Sequence, residues 1–115
     1  MSKELAKTQG GAVAETVNER PAVAPPVDIY ENADEYLILA DVPGVKSDAV
    51  KLHLEDGTLT LRATRGDLFD YRRQFYLPEG VDMAKAEAKL DKGVLAIHLP
   101  KAEEARPRHI PVRAG

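Results

Sequence analysis

The stretch from Val50 to Ala63 constrains this chain most, because its side chains sort cleanly in a single hairpin register. Asp56-Gly57 at its centre suits a two-residue type I′ turn, which needs φ > 0 at both positions. Pairing outward from that turn sets Leu54 opposite Leu59, Leu52 opposite Leu61 and Val50 opposite Ala63, with His53 opposite Thr60 and Lys51 opposite Arg62 on the other face. One face is apolar and the other wet, as a half-buried antiparallel pair requires. A slip of one residue would turn the apolar row to water.

The same style of patterning runs through the chain from Val27, with short alternating segments parted by turn residues about every eight to twelve positions, which predicts an all-β sandwich or barrel. Val27 to Glu31 reads as a first strand. Residues 35–42 are nearly continuous in apolar side chains, so this strand should run through the interior of a sheet, and Pro43-Gly44 suits a type II turn. Residues 69–77 form a further strand that stops at Pro78, with Phe69, Tyr71, Phe75 and Leu77 on one face and Arg73 in the middle of that row. A last hairpin alternates Ala86, Ala88 and Leu90 with Lys85, Glu87 and Lys89, turns at Asp91-Lys92-Gly93 as a three-residue loop with Gly93 left-handed, and returns through Leu95, Ile97 and Leu99. The sum is about seven strands and no helix.

The ends differ from this core. Residues 1–26 carry no aromatic side chain and finish in Pro21, Pro25 and Pro26, which predicts a disordered arm with at most a short amphipathic turn near 4–7. The domain proper is 27–100. A charged, extended tail follows over 101–115, ending in Arg108-His109-Ile110-Pro111-Val112.

Composition narrows the functions. A chain of 115 residues holds one domain with one core, and with no Trp and 5% aromatics that core falls to Leu, Val, Ile and Ala. A net charge of −3, with Lys and Arg scattered among acids, gives no basic face for nucleic acid. Without cysteine there is no disulfide, thiolate metal site or Cys nucleophile. The start has no apolar signal-peptide region, and no run approaches the roughly 18 apolar residues of a membrane span, so a cytoplasmic address without membrane partners is expected.

His53, His98 and His109 are widely spaced and share no ligand pattern with carboxylates, so no metal site is expected. Glu35 and Asp41 share a strand without forming an acid/base pair, and Asp82 and Glu87 read as surface acids near a turn. No Ser sits in a nucleophile elbow, and no Gly-rich loop precedes a helix. These readings predict no enzyme, no catalytic residue and no cofactor. Arg65-Gly66-Asp67 spells an adhesion tripeptide and reads here as a turn.

Six segments in order and spacing resemble the bacterial small heat-shock proteins: Val27-Asp28-Ile29-Tyr30-Glu31; Ala40-Asp41-Val42-Pro43-Gly44-Val45; Asp56-Gly57-Thr58-Leu59-Thr60-Leu61; Phe75-Tyr76-Leu77-Pro78-Glu79-Gly80-Val81; Gly93-Val94-Leu95 with Leu99-Pro100-Lys101; and Ile110-Pro111-Val112. The resemblance implies an immunoglobulin-like β-sandwich, the alpha-crystallin domain, that assembles into dimers or small oligomers and captures partly unfolded clients without nucleotide.

It also implies a docking site. The tail motif Ile110, Pro111 and Val112 would seat in a groove of a neighbouring subunit, formed here by Val50, Leu52 and Leu54 on one strand and Ala86, Ala88 and Leu90 on another. In an extended tail Ile110 and Val112 point the same way, while Pro111 has no N–H with which to recruit a further strand. Burying two such side chains yields at most roughly 3 to 6 kcal/mol, from which ordering the tail subtracts several kcal/mol. A weak, reversible plug results.

Two departures from the family pattern stand out. Bacterial members place a long loop with a swapped strand between the fifth and seventh strands, whereas this chain has only residues 64–68 there. The dimer then either forms by another route, edge to edge along 69–77, or is weak or absent. The arm also lacks the family's Phe residues, which predicts smaller assemblies. Arg73 matches an arginine that makes ion pairs at the family's dimer interface; its other reading is a snorkelling side chain on a sheet face. The competing function is an adaptor, or a subunit that co-assembles with a longer small heat-shock protein or binds a folded partner.

Overall fold

The computed structural model describes residues 20–115. Eight strands run in chain order: β1 (Ala22–Val23), β2 (Val27–Glu31), β3 (Glu35–Asp41), β4 (Val50–Glu55), β5 (Thr58–Arg65), β6 (Phe69–Tyr76), β7 (Glu87–Asp91) and β8 (Val94–Pro100). They form two four-stranded sheets, ordered β1-β6-β5-β4 and β2-β3-β8-β7. All pairs are antiparallel except β1 with β6. Single 3₁₀ turns at Ser47–Ala49, Met83–Lys85 and Glu103–Ala105 are the only helical segments among the described residues.

The β4–β5 hairpin has the register that its side chains require, from Val50 opposite Ala63 to Leu54 opposite Leu59. Asp56 and Gly57 take φ of 51° and 76°, the left-handed pair that a type I′ turn demands. The inner row of β5, Leu59, Leu61 and Ala63, is buried against Ile38, Ala40 and Val42 from β3 and its exit, and against Leu95, Ile97 and Leu99 of β8. Tyr71 and Phe75 of β6 complete this aliphatic core. The Tyr71 hydroxyl donates to the Pro43 carbonyl at 3.2 Å, so its polar end is not stranded. As its continuous apolar pattern predicts, β3 lies inside its sheet between β2 and β8.

Three details differ from the sequence reading. The β7–β8 turn is a two-residue loop: Asp91 pairs with Val94, and Lys92 joins Gly93 at positive φ, 51° and 81°. A two-residue turn of this hand matches the twist of the flanking strands, and that match outweighs the modest cost of a left-handed lysine. Glycine is favoured at 93 because its φ is left-handed and an added Cβ would lie 3.3 Å from Pro43 Cα, while its backbone carbonyl accepts from Val42 N–H at 2.8 Å. Second, β5 continues through Arg65, which pairs with Phe69, so only residues 66–68 join β5 to β6. Arg65-Gly66-Asp67 thus spans a strand end and a tight turn.

Third, the ordered fold begins before Val27. The two residues of β1 lie parallel to β6, and Asp70 N–H donates to Pro21 O at 2.9 Å. Pro25 is buried as the chain passes from one sheet to the other. The remainder of the expected arm, residues 1–19 with the turn near 4–7, lies outside the described residues.

Candidate docking site

The outer strands β4 and β7 close their sheets on one side of the sandwich. Ile29, Tyr36 and Ile38 of β2 and β3 share a cavity with Phe75, Tyr76 and Leu77 at the end of β6. The β6 side of one sheet therefore lies over the β2–β3 side of the other, which sets β4 and β7 facing each other at the opposite side.

Both strands turn their apolar row inward. Val50, Leu52 and Leu54 stand across from the buried Ala63, Leu61 and Leu59. On β7, Ala88 stands across from Ile97 and Leu90 across from Leu95, both buried. Ala86 precedes the strand, just after the Met83–Lys85 turn whose N-cap, Asp82, accepts from Ala84 N at 3.2 Å. Val50, Leu52, Leu54, Ala86 and Leu90 are half-buried, and Ala88 is exposed although it points inward. These inner-face side chains of two edge strands are the candidate slot, with the two alanines on its β7 side. On the outer face His53 pairs with Glu55 at 2.8 Å, both largely in solvent.

The tail is not seated in this slot. It leaves β8 through Lys101, whose ammonium lies 2.7 Å from a Glu31 carboxylate oxygen and 5.0 Å from the centre of the Tyr36 ring. Arg106 Nε donates back to Lys101 O at 3.1 Å. Beyond that anchor Ile110 and Val112 are 78% and 94% exposed. Both aliphatic side chains of the tail are thus open to solvent.

Arg73 is not part of the slot. It lies across from Leu61 on the inner face of β6, half-buried, with its guanidinium 5.4 Å from the Phe75 ring centre. Among the described residues no group of three or more His, Asp or Glu is arranged to hold a metal ion; His98 Nδ1 instead lies 3.0 Å from a single Glu35 oxygen.

One buried charge escaped the sequence reading. Asp70 is the one fully buried polar side chain in the described core, held by Arg20 Nε at 2.8 Å and Arg62 Nε at 3.1 Å. Arg20 also donates to the Gly66 and Phe69 carbonyls, at 2.7 and 3.3 Å. Burial pushes the Asp70 carboxyl up, but hydrogen bonds from Arg20, Arg62 and Thr64, with the Arg20 charge, outweigh it and hold the group below its ordinary value.

With this geometry in hand, similar proteins are informative. The family model described as Hsp20/alpha crystallin family matches residues 28–113. The 18 kDa antigen 2 of Mycobacterium avium is 37% identical over 106 residues, covering 81% of this chain and 76% of that protein. The 18 kDa heat shock protein of Clostridium acetobutylicum is 37% identical over 92 residues, covering 65% of this chain and 60% of that protein. Among solved structures, a small heat-shock protein from Xylella fastidiosa, described as having a distinct high order structure, superposes with a TM-score of 0.65 at 25% identity, over 80% of this chain and 98% of that one. Heat shock protein 16.0 from Schizosaccharomyces pombe shares the fold at 23% identity, with a TM-score of 0.65 over 80% of this chain and 77% of that one.

Proposed function

Because the chain belongs to the Hsp20/alpha-crystallin family of small heat-shock proteins, which are chaperones, we propose that it is an ATP-independent holdase that binds partly unfolded proteins and limits their aggregation. What supports this reading is that the inward apolar rows of the edge strands β4 and β7 are only half-buried or exposed, and that Ile110 and Val112 are exposed. A slot that a detachable tail can cover is available to clients whenever subunits exchange. Ile110, Pro111 and Val112 are the docking motif in this reading; Val50, Leu52, Leu54, Ala86, Ala88 and Leu90 are its groove, and Arg73 belongs to a dimer contact. No catalytic residue, cofactor or nucleic acid enters the mechanism. No helix of the described residues is long and apolar enough to cross a membrane, and a cytoplasmic site of action is part of the proposal.

The test is heat-induced aggregation of a model client, followed by light scattering at increasing ratios of this protein. Protection near stoichiometric ratios is expected, and no protection at any ratio overturns the reading. The tight three-residue turn between β5 and β6 favours a second reading, a subunit that co-assembles with a longer small heat-shock protein or binds one folded partner. A single stable partner in pull-down, without client protection, would select it.

A further inference from the structure

The tail leaves the domain beside the proposed slot of its own chain. Ala86, where that slot begins, directly follows the Met83–Lys85 turn, and Met83 and Lys85 line one cleft with Lys101 and Arg106 at the base of the tail. This proximity works against assembly. A short flexible tether gives an effective concentration on the order of mM, so at micromolar protein a floppy tail would fill its own chain's slot about a thousandfold more readily than a neighbour's, unless geometry forbids it. Yet both Ile110 and Val112 stand in solvent.

The base of the tail is fixed from two sides. Lys101 pairs with Val81 in an antiparallel bridge, Ala102 N–H donates to Gly80 O, and Asp82 N–H donates to Pro100 O at 2.8 Å. From the other side Lys101 N–H donates to Asp34 O at 2.8 Å, beside the ion pair with Glu31. The Glu103–Ala105 turn then lies against Gly80: at φ of 93° an added Cβ would come 2.6 Å from Ala105 Cβ, so only glycine permits so close an approach. Arg106 Nε closes the turn on Lys101 O.

Beyond this base the backbone is stiff. Pro107 and Pro111 have fixed φ, and each keeps the residue before it, Arg106 or Ile110, out of the helical region. Arg106 is indeed extended, at φ −86° and ψ 152°. Only Arg108 and His109 remain free to bend, and the four steps from Arg106 to Ile110 span at most roughly 14 Å. A turn centred on Arg108 and His109 brings Ile110 back only beside Pro107, which is itself exposed.

We infer that Gly80, Ala105, Arg106 and Pro107 are positioning residues that aim the tail away from its own chain's slot and present Ile110 and Val112 to the slot of a second copy. In the tail-and-slot reading on which this rests, the clamped base decides which slot the tail serves. A tail that capped its own chain would neither link subunits nor leave a slot for clients. Loosening the base therefore turns an assembling chain into a self-capped one.

The chain has no cysteine, so Ala88→Cys/Val112→Cys places the only two thiols, one in the slot and one on the tail. A short bis-maleimide is added at micromolar protein, products are separated by denaturing electrophoresis, and the linked peptides are identified by mass spectrometry. In this parent the 88–112 link should join different chains. Adding Arg106→Ala and Pro107→Gly should raise the ratio of internal to intermolecular link by about tenfold or more, while the mass in light scattering falls. A merely structural loss would weaken all linking without redirecting it. If circular dichroism finds the loosened protein unfolded, Pro107→Gly alone, at an exposed position, is read in the same way. A parent linked within its own chain, or a loosened protein without the internal link, overturns the positioning role and leaves the slot reading standing. Absence of the 88–112 link from both proteins overturns the slot reading, and the positioning role with it.

Discussion

Asp70 shows what a single buried charge can do in so small a core. Its two arginines come from β5 and from the segment before β1, so the carboxylate ties the entry of the chain to the β5–β6 hairpin. Because its folded pKa is lowered, the stability it contributes is present above the unfolded value of about 3.9 and is lost as pH falls through the folded value. Asp70→Asn should cost roughly 1 to 3 kcal/mol at pH 7, the penalty for breaking buried charged hydrogen bonds, and urea titrations should find that difference shrinking as pH falls below about 4. A difference constant with pH would mean that the carboxylate acts by shape alone. Arg20→Ala should raise hydrogen exchange at the Asp70 amide, which donates to Pro21 O, with little change in the core strands. None of this was legible in the sequence. Alternation along β6 points Phe69, Tyr71 and Phe75 inward and Asp70 toward water, and the group that buries it lies 50 residues away in the chain.

At the scale of elements, legibility followed how tightly turn chemistry limits the backbone. Asp56-Gly57 allows one short turn, and the whole β4–β5 register follows from it. Asp91-Lys92-Gly93 holds one glycine, so pattern alone assigns a single left-handed residue, while strand pairing imposes two. The β1 strand has only two residues and lies between prolines; it pairs because β6 offers an edge, not because of its own propensity. The two hairpin glycines separate backbone strain from crowding. At Gly57 an added Cβ meets nothing within 4 Å, so Gly57→Ala should cost only the left-handed penalty of about 1 to 2 kcal/mol. Gly93→Ala adds a 3.3 Å approach to Pro43 Cα and should cost more. Chemical denaturation of both variants decides it, and equal losses would mean that the Pro43 turn yields freely.

For the whole molecule the question is how weak contacts between chains can be specific. Alternation in the sequence told which residues of β4 and β7 face inward, but not that both strands are outermost; that follows from sheet order, which local pattern does not encode. In the proposed slot it is the edge position that leaves a row of core-like side chains open, and Ala88 expresses this most directly, exposed although it stands across from the buried Ile97. Two seated aliphatic side chains contribute at most roughly 3 to 6 kcal/mol before the cost of ordering the tail, so tail-linked assemblies should exchange readily. If the tail enters between β4 and β7, filling the space over Ala88 should block it without harming the fold, because the added carbons enter an open mouth and not a packed core. Ala88→Leu should therefore leave the thermal midpoint unchanged or slightly raised, while lowering the mass in light scattering to that of the Ile110→Ala/Val112→Ala protein. An unchanged mass in Ala88→Leu, with a lowered mass in the tail variant, would mean that the motif drives assembly from a different surface.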